Sequence, residues 1–122
     1  MNGTDLAIII GDTLAQPDSY GWRAEGSLHV SWLDHPETKA FFEQPKLMPV
    51  LYRMTDTAGD LLYVGISNRP LRRWHEHKYS KPWWPSVDEI AFESISWNRQ
   101  RLLLAERQAI AADSPRHNGG RS

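Results

Sequence analysis

Cysteine is absent from the 122-residue chain, which excludes disulfides, cysteine-bound zinc and thiol nucleophiles together. A reducing, cytoplasmic setting is the expectation that follows. Long hydrophobic runs are missing too. The apolar stretch at 6–10 falls far short of the ~20 residues that span a bilayer, and no basic region precedes it. Neither a signal peptide nor a membrane span is therefore expected. Internal repeats and low-complexity tracts are also lacking, so solenoids and disordered arrays are set aside. Nor is there a marked excess of either charge, the formal net being −1.

That near-neutral total hides an asymmetry. Residues 1–48 hold three Lys/Arg against seven Asp/Glu, a balance of −4. Residues 49–122 hold eleven against eight, a balance of +3, with three histidines besides. A local basic excess is the footprint of a polyanion site, although an excess of this size is also common on a solvated surface. The acidic balance of 1–48 argues against direct DNA contact by that segment. Six tryptophans and 40% hydrophobic residues indicate a globular chain, long enough for one domain with a modest core.

Hydrophobic periodicity then places the elements. Residues 5–10 read as a short buried strand closed by Gly11 and Asp12, and residues 16–26, with Pro17, Asp18, Gly21 and Gly26, read as a loop. Leu28, Val30 and Trp32 alternate with polar residues as in a half-buried strand. Asp34 or His35 starts a short helix with Pro36 in its first turn. From Val50 the pattern sharpens: 50–54 and 61–64 are strand-like runs joined by a polar turn containing Gly59, which predicts a hairpin. Asn68 is the predicted cap of a helix to about Tyr79, with Pro70 in its first turn. Residues 90–95 alternate as a third strand. A last helix opens at Ser96 or Asn98 and ends before Ser114-Pro115, because a residue preceding proline avoids the α region. The prediction is an α+β fold: a small three-stranded antiparallel sheet flanked by helices, with a β/α extension at 1–48 packed on or appended to the domain at 49–122.

The hairpin brings Tyr52 and Tyr63 near one another, directly opposite or on a diagonal. Arg73 and His77, four apart, share one helix face, whereas His75 points elsewhere. Glu106 lies on the last helix and Asn118 near the end of the chain. Tyrosines can relay protons, an arginine and a histidine can hold phosphate, and a carboxylate can hold a divalent metal. Singly, each has a plainer use: sheet tyrosines, a solvated helix face with Arg72, His75 and Lys78, an ion pair of Glu106 with Arg107, a turn at Asn118. Trp83 and Trp84, between prolines, suit core closure better than base stacking.

The ordered set resembles the GIY-YIG nuclease family over residues 49–118. The first tripeptide is reduced to Val50-Leu51-Tyr52, while Tyr63-Val64-Gly65 keeps the second. The resemblance implies a divalent-metal-dependent endonuclease that hydrolyses DNA, with Tyr52, Tyr63, Arg73, His77 and Glu106 catalytic. Gly65, Arg69, Arg72 and Asn118 would contact substrate. Glu106 would be the sole protein ligand of one Mg²⁺, with Mn²⁺ able to substitute, and Tyr52 would act as or relay to the base, its pKa depressed by Arg73. The implied products are a 5′-phosphate and a 3′-hydroxyl. DNA is the expected partner, together with a homodimer or a targeting protein. The alternative is a non-cleaving nucleic-acid- or protein-binding module that retains the fold.

Overall fold

The computed structural model describes residues 8–10, 13–18 and 20–118. In chain order they form β1 (Ile8–Ile10), β2 (Thr13–Pro17), β3 (Trp22–His29), α1 (Pro36–Phe42), β4 (Val50–Thr55), β5 (Leu61–Ser67), α2 (Pro70–Ser80), β6 (Glu89–Ser94) and α3 (Arg99–Asp113). The strands make one antiparallel sheet in the order β1-β2-β3-β6-β4-β5. The mixed α/β architecture is as expected, but the three-stranded sheet is not. Five strands, β2 to β6, run five residues or more, and the three-residue β1 lies at the edge.

The physical reason lies in 16–26, expected as a loop. Pro17 ends β2, where its missing donor costs nothing, and β3 begins at Trp22, with Pro17 and Trp22 paired in register. Gly21 permits the turn to press on the connector after α1, since a Cβ there would collide with the Lys46 carbonyl. β3 then pairs with β6 from Glu25↔Glu93 to His29↔Glu89, continuing the sheet across both parts of the chain. The strand expected through Trp32 stops early. His29 Nδ1 accepts from the Ser31 amide, and Val30–Trp32 turns as a 3-10 helix. Of the strand expected at 5–10, residues 5–7 lie outside the described residues, as do its closing Gly11 and Asp12.

Helix starts follow the sequence closely. His35 Nδ1 caps α1 by accepting from the Glu37 amide, and Asn98 Oδ1 caps α3 by accepting from Arg101. Asn68 does not cap α2. The cap position is Arg69, whose amide donates to Ser67 Oγ at 2.9 Å. α3 ends with Ser114 at φ 47°, immediately before Pro115.

Strand alternation sorts β4 onto two faces. Val50, Tyr52 and Met54 join a core with Phe41 and Phe42 of α1, Trp74 of α2 and Phe92 of β6. Leu51 faces the other way and packs with Val64 and Ala109, so α3 covers the opposite side. The first face, closed by four mutually tilted aromatic rings (Phe41, Phe42, Trp74, Phe92), is where Tyr52 is held. No helix among the described residues is long and apolar enough to cross a membrane.

Candidate active site

The hairpin register sets Tyr52 opposite Gly65 and Met54 opposite Tyr63, so the two tyrosines are diagonal neighbours on one face. Their ring centroids are 6.2 Å apart. Gly65 makes this possible. A Cβ there would stand 2.5 Å from the Tyr52 hydroxyl and 2.9 Å from the Tyr63 ring, so the glycine is needed to admit both rings. Its absent side chain is its contribution.

α2 lies over this pair. Trp74 and His77 are fully buried beneath it, and Tyr52 is only 1% exposed. Tyr52 Oη and His77 Nε2 are 2.8 Å apart. Arg73, one turn earlier, reaches the rim with 44% of its side chain exposed, its Nη1 donating to Glu76 Oε1 at 3.0 Å. The expected face of Arg73 and His77 therefore exists, with the histidine inside and the arginine at the opening.

Electrostatics differ from expectation at Tyr52. Burial pushes its pKa up, the neighbouring Tyr63 adds to this, and the charge and hydrogen bonding of Arg73 pull down without prevailing. The phenol is therefore held protonated at neutral pH, not depressed. His77 moves in the opposite direction, to about 4, because burial comes first and Arg73 and Lys81 repel its proton, with Glu76 opposing. A neutral imidazole follows. Its Nδ1 is buried without a hydrogen-bond partner among the described residues, so the contact to Tyr52 is the ring's one polar anchor there.

Glu106 of α3 is half-buried, and burial raises its pKa while Arg99 draws it down. Its charge is felt at Tyr52. Among the described residues it makes no side-chain hydrogen bond and no ion pair, so the plain pairing with Arg107 is not formed. An unspent, partly desolvated carboxylate fits a hard-cation ligand. No group of three or more His, Asp or Glu gathers among the described residues, so a cation held here would take most of its ligands from water and substrate oxygens.

Residues 48–102 match the family model of the GIY-YIG catalytic domain. These residues are a GIY-YIG segment. Comparison with curated proteins and with solved structures found no match to the chain. A GIY-YIG catalytic domain is a nuclease-type fold, typically an endonuclease, and its substrate is nucleic acid. The matched span holds Tyr52, Tyr63, Gly65, Arg69, Arg72, Arg73 and His77, and ends before Glu106 and Asn118.

Those last two sit differently about the GIY-YIG segment. Asn118 does not offer its amide to open space: Oδ1 accepts from the Val64 amide and Nδ2 donates to the Val64 carbonyl, each at 2.7 Å. With Arg116 and His117 amides on the Leu61 and Leu62 carbonyls, the tail covers the edge of β5. Arg69, at the cap of α2, and Arg72, in its first turn, are exposed. Arg72 is 3.7 Å from Glu76, and neither arginine touches the tyrosines in any described hydrogen bond or ion pair. Sequence reasoning missed His117. It stacks on Trp83 at 5.3 Å, and Trp83 stacks on Tyr63 at 5.2 Å, an aromatic ladder that walls the tyrosine pair. The Trp83 ring is thus used within the protein. The signal was the close spacing of His117 and Asn118 after Pro115, legible only once the tail was known to return to β5.

The lowered His77 pKa makes a stability prediction. Its folded value, about 4, lies below the ordinary 6.5, so between these pH values only the unfolded chain takes up the proton. Stability should be fully present above pH 6.5 and decline as pH falls toward 4, by up to about 3 kcal/mol at the scale of 1.36 kcal/mol per pKa unit. Thermal denaturation across this window checks it, and His77→Gln should flatten the decline.

Proposed function

We propose that this chain is a divalent-metal-dependent endonuclease that hydrolyses DNA phosphodiesters, with a tyrosine–histidine proton relay. The observation that carries the reading is the 2.8 Å contact of buried Tyr52 with neutral His77, framed by Arg73 and by Glu106, which has no ion pair among the described residues. Burial disfavours a free phenolate, so Tyr52 serves best by giving its proton to His77 Nε2 as it takes one from the attacking water. No separate phenolate is then required. Arg73, at the rim, binds the scissile phosphate through its planar fork and meets charge that grows during attack. Tyr63, fixed between Tyr52 and Trp83, orients water or a phosphate oxygen. Gly65 and Asn118 serve the site through the strand they shape. Glu106 would hold one Mg²⁺, or Mn²⁺ in its place, which when bound supplies Lewis-acid stabilisation to phosphate oxygens.

Supercoiled plasmid tests the reading. Nicks should accumulate with Mg²⁺, stop in chelator, and be sealable by a DNA ligase, as 5′-phosphate and 3′-hydroxyl ends allow. No Mg²⁺-dependent nicking would leave the non-cleaving binding module. The arginines separate the two readings further. Arg73→Ala should lower the rate by on the order of 10² or more, the scale of losing a preorganised charge at the transition state. Arg69→Ala and Arg72→Ala should weaken binding mildly, with a loss that fades as salt rises. Equal losses for all three would indicate a diffuse basic patch.

A further inference from the structure

A groove of about 1300 Å³ is lined by neither tyrosine. It takes in Ile66, Ser67, Arg69 and Arg72, residues that run from just after Gly65 to just before Arg73. Its opposite wall is α1 and the connector after it, so the groove exists only because residues 1–48 pack against the GIY-YIG segment. Five cations line it, Lys39, Lys46, Arg69, Arg72 and Arg99, against two carboxylates, Asp34 and Glu43. Asp34 is already shared between Lys78 at 3.2 Å and His75 at 3.6 Å. Lys39, Lys46, Arg69 and Arg99 have no ion-pair partner among the described residues. The net acidity of 1–48 is therefore misleading, since two of its three Lys/Arg face this groove.

Charge alone would suit any nucleic acid, but the groove is not only charged. Pro45, Pro49, Ile66 and Leu71 contribute apolar surface, and Trp97 presents a ring that is 38% exposed. The Trp97 Nε1 donates to Asp18 Oδ1 at 3.4 Å, which fixes the ring. A duplex turns phosphates outward and hides its base faces, so it has nothing to lay on such a surface. An unpaired strand offers both, which is how aromatic and cationic grooves hold single strands. Lys46 is also held in place. It sits at φ 57°, unusual for a lysine, with its carbonyl accepting from the Trp22 amide at 2.9 Å. Arg99, in the groove lining, is the first residue of α3, the helix that carries Glu106.

Resting on the nuclease reading, we infer that this groove receives an unpaired DNA strand adjoining the scissile phosphate. Its phosphates meet Lys39, Lys46, Arg69 and Arg99, and one base lies on Trp97. The enzyme's substrate class is then DNA with a single-stranded segment beside the cut.

The test is fluorescence anisotropy of the full chain in chelator, so that nothing is cleaved. The probes are a labelled single-stranded DNA oligonucleotide and the blunt duplex of the same sequence. Wild type should bind the single strand more tightly. Trp97→Ala should weaken single-strand binding about tenfold and leave the duplex unchanged, and Trp97→Phe should restore most of the loss. Lys39→Ala with Lys46→Ala, both surface changes, should weaken single-strand binding and shallow its salt dependence. This pair decides the matter should Trp97→Ala not fold. Tighter duplex binding, or wild-type single-strand binding by a folded Trp97→Ala or by the lysine pair, overturns the inference. Plasmid nicking is scored separately: strand binding through Trp97 without Mg²⁺-dependent nicking would sink the nuclease reading alone, and nicking without any Trp97 effect would sink the groove alone.

Discussion

Glu106→Ala should abolish cleavage while leaving the fold and DNA affinity close to wild type. Glu106 is half-buried on α3, with no side-chain hydrogen bond or ion pair among the described residues, so no structural partner is lost with it. Burial is already the largest influence on its pKa, so removing the carboxylate relieves desolvation. Affinity for DNA should hold or rise, because a negative charge leaves the neighbourhood of phosphate. What disappears is the carboxylate proposed to hold a metal, whose charge is felt at Tyr52. Rates with saturating Mg²⁺, together with a thermal melt, check this. Turnover within tenfold of wild type would remove Glu106 from the role.

Tyr52→Phe should be nearly as severe, by about 10²–10⁴-fold, the usual span for losing a positioned acid or base. Only a hydroxyl is lost. The ring keeps its edge contact with Trp74 at 5.7 Å and its place beside Tyr63 at 6.2 Å, so the core should survive. Because the relay uses protonated Tyr52 and neutral His77, and burial holds both in those forms, the wild-type rate should stay level across the neutral and mildly alkaline range. Because His77 titrates at about 4, no break should appear near the ordinary value of 6.5. Tyr63→Phe should be milder. A dead Tyr63→Phe beside an active Tyr52→Phe would exchange their roles.

The fold behind these expectations was partly readable from sequence, for local reasons. The hairpin announced itself by two apolar runs around a polar turn, and that alone made Tyr52 and Tyr63 neighbours. Four-residue spacing put Arg73 and His77 on one face. Asn98 and Pro36 marked helix starts through chemistry confined to a single turn. Long-range features were hidden. Strands β2 and β3 are interrupted by Pro17, Asp18 and Gly21, and only pairing with β6 shows why the chain extends there. Asn118 was expected to contact substrate, and its pairing with Val64 was hidden because the two lie 54 positions apart. The direction of the Tyr52 shift could not be read, since a nearby Arg73 was visible in sequence whereas burial under Trp74 and Phe92 was not. Net charge misled for the same reason: Lys39 and Lys46 lie in an acidic segment yet line a cationic groove.

Central to the account is one carboxylate, one metal and one buried relay. The dependence of the single-turnover cleavage rate on free Mg²⁺ tests it most directly. A first-order rise to saturation that chelator reverses and Glu106→Ala eliminates is the predicted result. A second-order dependence on Mg²⁺, or cleavage that persists in chelator, would contradict it.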